Sequence, residues 1–139
     1  MKEEYVTYEC AVKLKELGFK DKCNAYYWTE DKAFECTNSI VHKNSDTCQT
    51  VVMAPFLWQA QKWLREKGIH ISVNPYMSYD VDADGELYNE YPSWGFELMD
   101  IASADFMDDA GGNHTSYESA LSAGIDKALE LLTDNQNGK

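Results

Sequence analysis

The second half of this sequence lacks positive charge. No lysine or arginine occurs between Lys67 and Lys127, a stretch of 59 residues that contains twelve aspartates and glutamates. Residues 1–70 contain ten residues of each sign, so the formal net charge of −12 comes entirely from residues 71–139. Nucleic-acid binders need cations to replace the counterions condensed on phosphates. We therefore expect no direct nucleic-acid binding, and a basic protein partner would complement the charge.

Long apolar runs and closely spaced cysteines are also missing. No stretch approaches the roughly 18 apolar residues that a membrane helix needs, so we expect no membrane association. The opening MKEEYVTYEC has no apolar signal core, which favours a cytoplasmic location. Four cysteines are present without a C-x-x-C pair: Cys10, Cys23, Cys36 and Cys48. This spacing favours reduced thiols over a zinc site, although it does not decide whether any of them pair.

The sequence contains none of the motifs that usually carry catalysis. A phosphate-binding loop, a G-x-S-x-G elbow and a dinucleotide fingerprint are all absent. The three histidines, His42, His70 and His114, stand at no metal-ligand spacing to one another. We therefore expect a protein that is not an enzyme and that has no catalytic residues and no resident cofactor.

The apolar residues that are present indicate an α+β fold. Helical periodicity predicts helices over residues 8–17, 55–67 and 116–132. Apolar residues at odd positions predict one long strand over residues 69–81. Strand patterns follow in ELYNEY and SWGFELMDIA, while SADFMDDAGGNH is typical of a loop with a short strand near Phe106. Earlier, NAYYW and AFEC flank a turn and predict a hairpin.

These elements predict a small antiparallel sheet of about three strands flanked by helices. We expect residues 55–139 to form an α-β-β-β-α core with a topology like that of double-stranded-RNA-binding domains. Residues 1–54 would add the first helix and the hairpin, packed on that core in one compact domain. An RNA-binding version of this fold needs basic residues to grip phosphates, whereas this region is acidic.

Three segments carry a resemblance to a protein family. AVKLKELGF, APFLWQAQKWLREKGIHI and SYESALSAGIDKALELL resemble a group of small uncharacterised α+β proteins of gut bacteria and their mobile elements. That group has a KWLRE helix, a tryptophan strand and a TYEEAL-type helix, in the same order as here. The resemblance implies the order of elements and a genomic context, without an activity or catalytic residues. DVDADGELYNEYPS would be an insertion peculiar to this chain.

The segment DVDADGELYNEY resembles part of a calcium loop. Asp80, Asp82 and Asp84 match its first, third and fifth positions, and Gly85 matches its sharp turn. The twelfth position needs a bidentate glutamate, but Tyr91 stands there. The flanking patterns also predict strands where a calcium loop has helices. The segment is therefore expected to be a hairpin turn, with a weak calcium site at residues 80–91 as an alternative.

Acidic and aromatic side chains alternate around this turn. Tyrosine is a frequent anchor at protein interfaces, and carboxylates favour a basic partner surface. We therefore predict a non-enzymatic interaction module of unknown oligomeric state that binds a protein partner. An acidic nucleic-acid mimic encoded by a mobile element is an alternative function. The candidate contact residues are Tyr79, Asp82, Asp84, Tyr88, Glu90 and Tyr91.

Overall fold

The computed structural model describes residues 4–37, 43–45 and 49–136, and His42 and Cys48 lie outside these ranges. Within them the chain is an α+β protein, as predicted. The described residues form three helices and two antiparallel sheets of three strands each. The elements in chain order are α1 (Tyr8–Glu16), β1 (Ala25–Trp28), β2 (Phe34–Cys36), β3 (Val51–Met53), α2 (Leu57–Glu66), β4 (Ile69–Val81), β5 (Leu87–Asp100), β6 (Asp105–His114) and α3 (Tyr117–Gln136).

Helix α1 begins and ends on local signals. The Thr7 hydroxyl accepts a hydrogen bond from the Cys10 backbone N–H at 3.2 Å, which satisfies one of the free donors of the first turn. Gly18, with φ +96°, follows the last turn. The Phe19 N–H then donates to the Leu14 carbonyl at 2.8 Å, and the Phe19 ring is fully buried. The predicted helix is confirmed.

The first sheet has the strand order β2-β1-β3. The predicted hairpin is formed by β1 and β2, which pair from Ala25 with Cys36 to Tyr27 with Phe34. Strand β3 was not predicted, because three residues show no periodicity. The buried side chain of Asn44 positions β3. Its NH₂ group donates to the Phe19 carbonyl and its oxygen accepts from the Met53 N–H, both at 3.0 Å.

The second sheet has the strand order β4-β5-β6. Strand β4 covers residues 69–81, as the alternation predicts. Two sequence predictions were wrong in part, because ELYNEY and SWGFELMD form the single strand β5, and residues 105–114 form a ten-residue strand rather than mainly a loop. Strand β6 contains extra residues opposite Trp94–Phe96 and opposite Leu98–Met99, which shift its register against β5. These shifts interrupt the alternation of apolar and polar residues by which a strand is predicted.

One buried cluster joins side chains from both parts of the chain. Ile69 and Ile71 of β4 and Leu98 of β5 pack in this cluster with apolar residues of all three helices. Residues of β1 and β3 belong to the same cluster. The Val6 N–H also donates to the Pro55 carbonyl at 3.1 Å, which ties the N-terminal segment to the start of α2. Residues 4–54 therefore share a core with residues 55–136.

The Cys10, Cys23 and Cys36 side chains are free thiols. Burial raises the pKa of the Cys10 thiol, and it raises the pKa of the Cys23 thiol to about 12. Within the ranges that the structure describes, no helix is both long enough and apolar enough to cross a membrane.

Candidate functional site: the hairpin ribbon

Strands β4 and β5 extend beyond the third strand of their sheet. Strand β6 pairs with β5 only from Trp94 to Asp100, so residues 76–92 form a two-stranded ribbon, which we call the hairpin ribbon. Every residue from 81 to 92 is exposed. Residues 81–92 are therefore open to solvent on both faces, whereas Tyr76 and Ser78 contact Gly111 and Gly112 of β6. The inner part of the sheet is covered by helices on one face.

The tip of the hairpin ribbon is organised by Asp82. One oxygen of its carboxylate accepts hydrogen bonds from the Asp84 and Glu86 backbone N–H groups, each at 2.9 Å. The Gly85 N–H donates to the Asp82 carbonyl, and Gly85 has φ +84°, which a residue with a side chain rarely adopts. Residues 82–86 therefore form the hairpin turn that the sequence predicts.

A β-bulge lies next to the tip. Ser78 pairs with Tyr91 and Asp80 pairs with Tyr88, so one residue of β4 opposes two residues of β5. Asn89 is the irregular residue, with φ +53°, and its side-chain NH₂ donates to the Asp80 carboxylate at 2.7 Å. The bulge changes which β5 side chains share a face, because it adds one residue between Tyr88 and Tyr91.

The bulge gives the hairpin ribbon two different faces. Directly paired residues lie on the same face of an antiparallel pair. One face therefore carries three tyrosines with one carboxylate, and we call it the tyrosine face; its members are Tyr76, Asp80, Tyr88 and Tyr91. The opposite face, the aliphatic face, carries Met77, Tyr79, Val81, Leu87 and Pro92. Val81 and Leu87 are 60% and 61% exposed, which is unusual for paired apolar residues.

The structure places all six predicted contact residues in the hairpin ribbon, although not on one face. Tyr88 and Tyr91 share the tyrosine face, and Asp82, Asp84 and Glu90 lie exposed at or near the tip. Tyr79, however, lies on the aliphatic face, because it alternates with Ser78 and Asp80 along β4. Sequence reasoning also omitted Tyr76 and Leu87, although strand alternation on β4 could have indicated the first.

The aspartates proposed for calcium do not form a calcium loop. Asp80 is bound to Asn89, and one oxygen of Asp82 is occupied by two backbone N–H groups of the turn. Across the described part of the chain, no three His, Cys, Asp or Glu side chains are grouped so that they could hold a metal ion. Asp80 and Asp82 therefore take part in the local hydrogen bonds of the turn and the bulge.

The acidic residues of the second sheet lie mainly at its two ends. The hairpin ribbon carries Asp80, Asp82, Asp84, Glu86 and Glu90 without any lysine or arginine. A second group, which includes Asp100 and Asp105, lies at the β5–β6 turn. The two ends of β5 are roughly 40 Å apart at the usual rise of an antiparallel strand. Glu97, Asp108 and Asp109 lie between these ends, in the paired part of β5 and β6. The hairpin ribbon carries five of the ten carboxylates of residues 69–114.

A groove lies apart from the hairpin ribbon, between α3 and the N-terminal segment. Its volume is about 640 Å³, and Val6 and Tyr27 line one side while Ser119, Ser122 and Asp126 line the other. His114 stands at its edge, with Nδ1 at 3.4 Å from the Ser119 hydroxyl. Sequence reasoning missed this groove, because its walls come from segments that are distant in the chain.

Comparison with known proteins adds no relative to this description. The chain matches no family model, no curated protein and no solved structure. Its own geometry therefore characterises it, as an α+β protein with an exposed, acidic and aromatic hairpin ribbon.

Proposed function

We propose that the protein is a non-enzymatic interaction module whose hairpin ribbon docks onto a basic protein. The observation that carries this proposal is that every residue from 81 to 92 is exposed, although several of them have large apolar side chains. Contiguous exposed apolar surface rimmed by polar groups is typical of an interaction site. Tyr88 and Tyr91 would be the main anchors, since tyrosine is enriched among interface residues that contribute most to affinity.

The charge of the hairpin ribbon supports a basic partner. Its five carboxylates lie within 17 residues that contain no positive side chain. An acidic patch of this kind speeds association with a positive surface and disfavours acidic competitors. The interaction should therefore weaken as the salt concentration rises.

The edges of the hairpin ribbon favour contact through side chains over strand addition. Pro75 lies in the edge strand β4, and Pro92 lacks an N–H where β6 no longer covers β5. The bulge at Asn89 further distorts the second edge. Prolines and bulges of this kind protect edges from pairing with another strand. We therefore place the contact on the tyrosine face.

The arrangement of residues 57–136 supports a further structural proposal. Helix α2, strands β4, β5 and β6, and helix α3 follow one another in the order expected of a double-stranded-RNA-binding-like core. We infer that fold relationship without its function, because an RNA-binding domain needs a basic surface. The link to gut-bacterial mobile elements and a cytoplasmic location also remain proposals from the sequence.

An acidic nucleic-acid mimic is the second candidate function. It is favoured by the 59 residues without lysine or arginine, since carboxylates could replace phosphates in a cationic groove. A mimic of a duplex needs charge distributed evenly along one surface, whereas five of the ten carboxylates of residues 69–114 are concentrated in the hairpin ribbon. A local contact at the hairpin ribbon therefore agrees better with the geometry.

The affinity of an isolated partner for ribbon variants tests the proposal. The partner would be captured from cells that produce the protein, purified and titrated against wild type, the double variant Tyr88→Ser/Tyr91→Ser and the control Phe106→Ser. We expect the double variant to weaken binding at least about tenfold, since losing anchor residues costs more than about 1.4 kcal/mol. Phe106 is an exposed aromatic residue at the other end of the sheet, so its variant should stay close to wild type.

Two outcomes would reject the proposal. One is a partner whose affinity is equal for wild type and the double variant. The other is an equal loss in Phe106→Ser, which would show a general effect of removing aromatic surface. A single Tyr79→Ser variant then reports whether the aliphatic face contributes, because Tyr79 is the ribbon tyrosine on that face.

A further inference from the structure

The aliphatic face of the hairpin ribbon continues the side of the sheet that carries the helices. Ile71 of β4 lies on that side, since a Cβ atom at Gly124 of α3 would lie only 3.0 Å from its side chain. Strand alternation places Met77, Tyr79 and Val81 on the same side as Ile71. Helices α2 and α3 therefore cover the first part of this side, while its last part is exposed within the described chain.

The helical cover ends at Trp94. Tyr117, the first residue of α3, makes an edge-to-face contact with Trp94, with the ring centroids 5.6 Å apart. Pro92 follows on the same side of β5 and pairs with Met77. Beyond this point Met77 and Leu87 are 51% and 61% exposed. An apolar sheet face is normally buried against another layer, so the aliphatic face lacks a covering element.

An apolar cleft lies at the base of the aliphatic face, between the first turns of α2 and α3, and we call it the basal cleft. Its volume is about 220 Å³, and Phe56, Trp58 and Tyr117 are among its lining residues. Trp58 and Tyr117 are 60% and 39% exposed, so their rings offer contact surface to a ligand. Because Tyr117 also contacts Trp94, the basal cleft adjoins the aliphatic face.

The dimensions of this surface fit one α-helix. The two strands of the ribbon lie about 4.8 Å apart, so one helix with a diameter of about 10 Å covers both of them. The ribbon is about 20 Å long from Pro75 to Val81 at the usual rise of a strand. A helix of about 13 residues spans this length. The prolines and the bulge disfavour an added strand, so a helix is the covering element that remains.

The charge around this surface favours a basic helix. Glu86 and Glu90 are exposed on the ribbon, and Glu4 and Glu118 line the basal cleft. Residues 68–126 contain no lysine or arginine. Lysine or arginine side chains that flank the apolar stripe of a helix would complement these carboxylates, whereas an acidic helix would be repelled.

We propose that the aliphatic face and the basal cleft bind a basic amphipathic helix of a partner protein. Apolar side chains at spacings of three and four residues along that helix would lie against Met77, Val81 and Leu87. A large side chain near one end of the helix would enter the basal cleft beside Trp58. This surface lies opposite the tyrosine face, and helix binding here does not require that the tyrosine face has a partner.

Fluorescence anisotropy with a labelled peptide tests this proposal. The probe is a peptide of about 14 leucine and lysine residues whose leucines form one helical stripe, and a peptide of the same composition with scattered leucines is its control. We expect saturable binding of the amphipathic peptide and at least about tenfold weaker binding of the control peptide. Val81→Ser/Leu87→Ser should weaken the amphipathic peptide about tenfold, because apolar contact area is lost.

Tyr88→Ser/Tyr91→Ser is the matched control variant, because it changes the opposite face. Both double variants keep the net charge of the wild type, so electrostatic attraction is the same in all three proteins. Equal weakening in the two variants, or equal affinity of the two peptides, would overturn the proposal. A loss confined to Tyr88→Ser/Tyr91→Ser would overturn it as well, while docking through the tyrosine face would stand. Circular dichroism of each variant should match that of wild type.

Two further outcomes would also overturn the proposal. The first is the absence of saturable peptide binding to the wild-type chain. The second is a wild-type dimer in sedimentation that Val81→Ser/Leu87→Ser converts to monomers, because a second copy of this chain would then cover the aliphatic face.

Discussion

At the residue scale, two of the three aspartates of DVDAD have different structural roles. Asp82 holds the turn through two backbone N–H groups, and Asp80 holds the Asn89 side chain beside the bulge. Their spacing resembles that of calcium ligands, but in a strand-flanked turn the same spacing directs these side chains into local hydrogen bonds. A turn with positive φ favours glycine, and Gly85 stands at that position. The turn at residues 82–86 could therefore be predicted from the sequence.

The composition of the two ribbon faces could not be predicted at this scale. Tyr88 and Tyr91 are three residues apart, which in a regular strand places them on opposite faces. They share a face because the bulge at Asn89 inserts one residue between them. A bulge depends on pairing with the partner strand, so single residues did not reveal that Tyr79 is separated from the other two tyrosines.

The carboxyl group of Asp126 predicts a pH dependence of stability. Its pKa is raised in the folded state, mainly because burial disfavours the charged form; Lys13 and Cys10 oppose the rise and Glu9 adds to it. Because the pKa is raised on folding, the neutral carboxyl group favours the folded state. This contribution to stability is complete below the unfolded-state pKa of about 3.9 and is lost as the pH rises through the folded-state pKa. Asp126→Asn should therefore gain stability relative to wild type as the pH rises above about 3.9.

Urea unfolding of both proteins across this pH range measures the effect. The gain should stay below about 1 kcal/mol, because solvent screens a carboxyl group that is partly exposed. A difference between variant and wild type that is constant with pH would contradict the assignment. An equal pH-dependent gain in Asp134→Asn would assign the effect to net charge instead.

At the element scale, regular alternation determined what could be predicted. Strand β4 was found with its bounds, because its apolar residues keep one phase over thirteen positions. Strand β6 was largely missed, because two register shifts and the Gly111–Gly112 pair remove that phase. Strand β3 is too short for any periodicity, and its position depends on contacts with Asn44 and β1.

Close packing of β6 on β5 requires glycine at position 95. A Cβ atom there would overlap the Ala110 carbonyl oxygen and would lie 2.8 Å from the Gly111 Cα atom. Both neighbours are backbone atoms, so the strands would have to separate. We therefore expect Gly95→Ala to lower the free energy of unfolding by about 3 kcal/mol, at the upper end of the usual cost of overpacking.

Gly111→Ala provides the matched control for this prediction. A Cβ atom at position 111 meets only the Tyr76 ring, at 3.6 Å, which is ordinary van der Waals contact. Its cost in urea denaturation should be below about 1 kcal/mol. Similar costs for the two variants would contradict the close approach of the two backbones.

At the scale of the whole molecule, charge and burial divide the chain into regions with different roles. The core joins residues of both halves, whereas the hairpin ribbon contributes large side chains that remain exposed. The acidic half of the sequence indicated the location of the ribbon, since charge excess is a property of composition. The groove gave no comparable signal, because folding brings residues 5–7, Tyr27 and residues 114–126 together.

Site-specific photo-crosslinking in cells that produce the protein tests most directly whether the hairpin ribbon is the docking surface. A benzophenone amino acid would replace Tyr91 on the tyrosine face, and in a separate variant Phe106 at the opposite end of the sheet. Position 91 should crosslink to a basic protein, whereas position 106 should not. Crosslinks at neither position, the same products at both, or an acidic partner at position 91 would contradict the assignment of the hairpin ribbon as the docking surface.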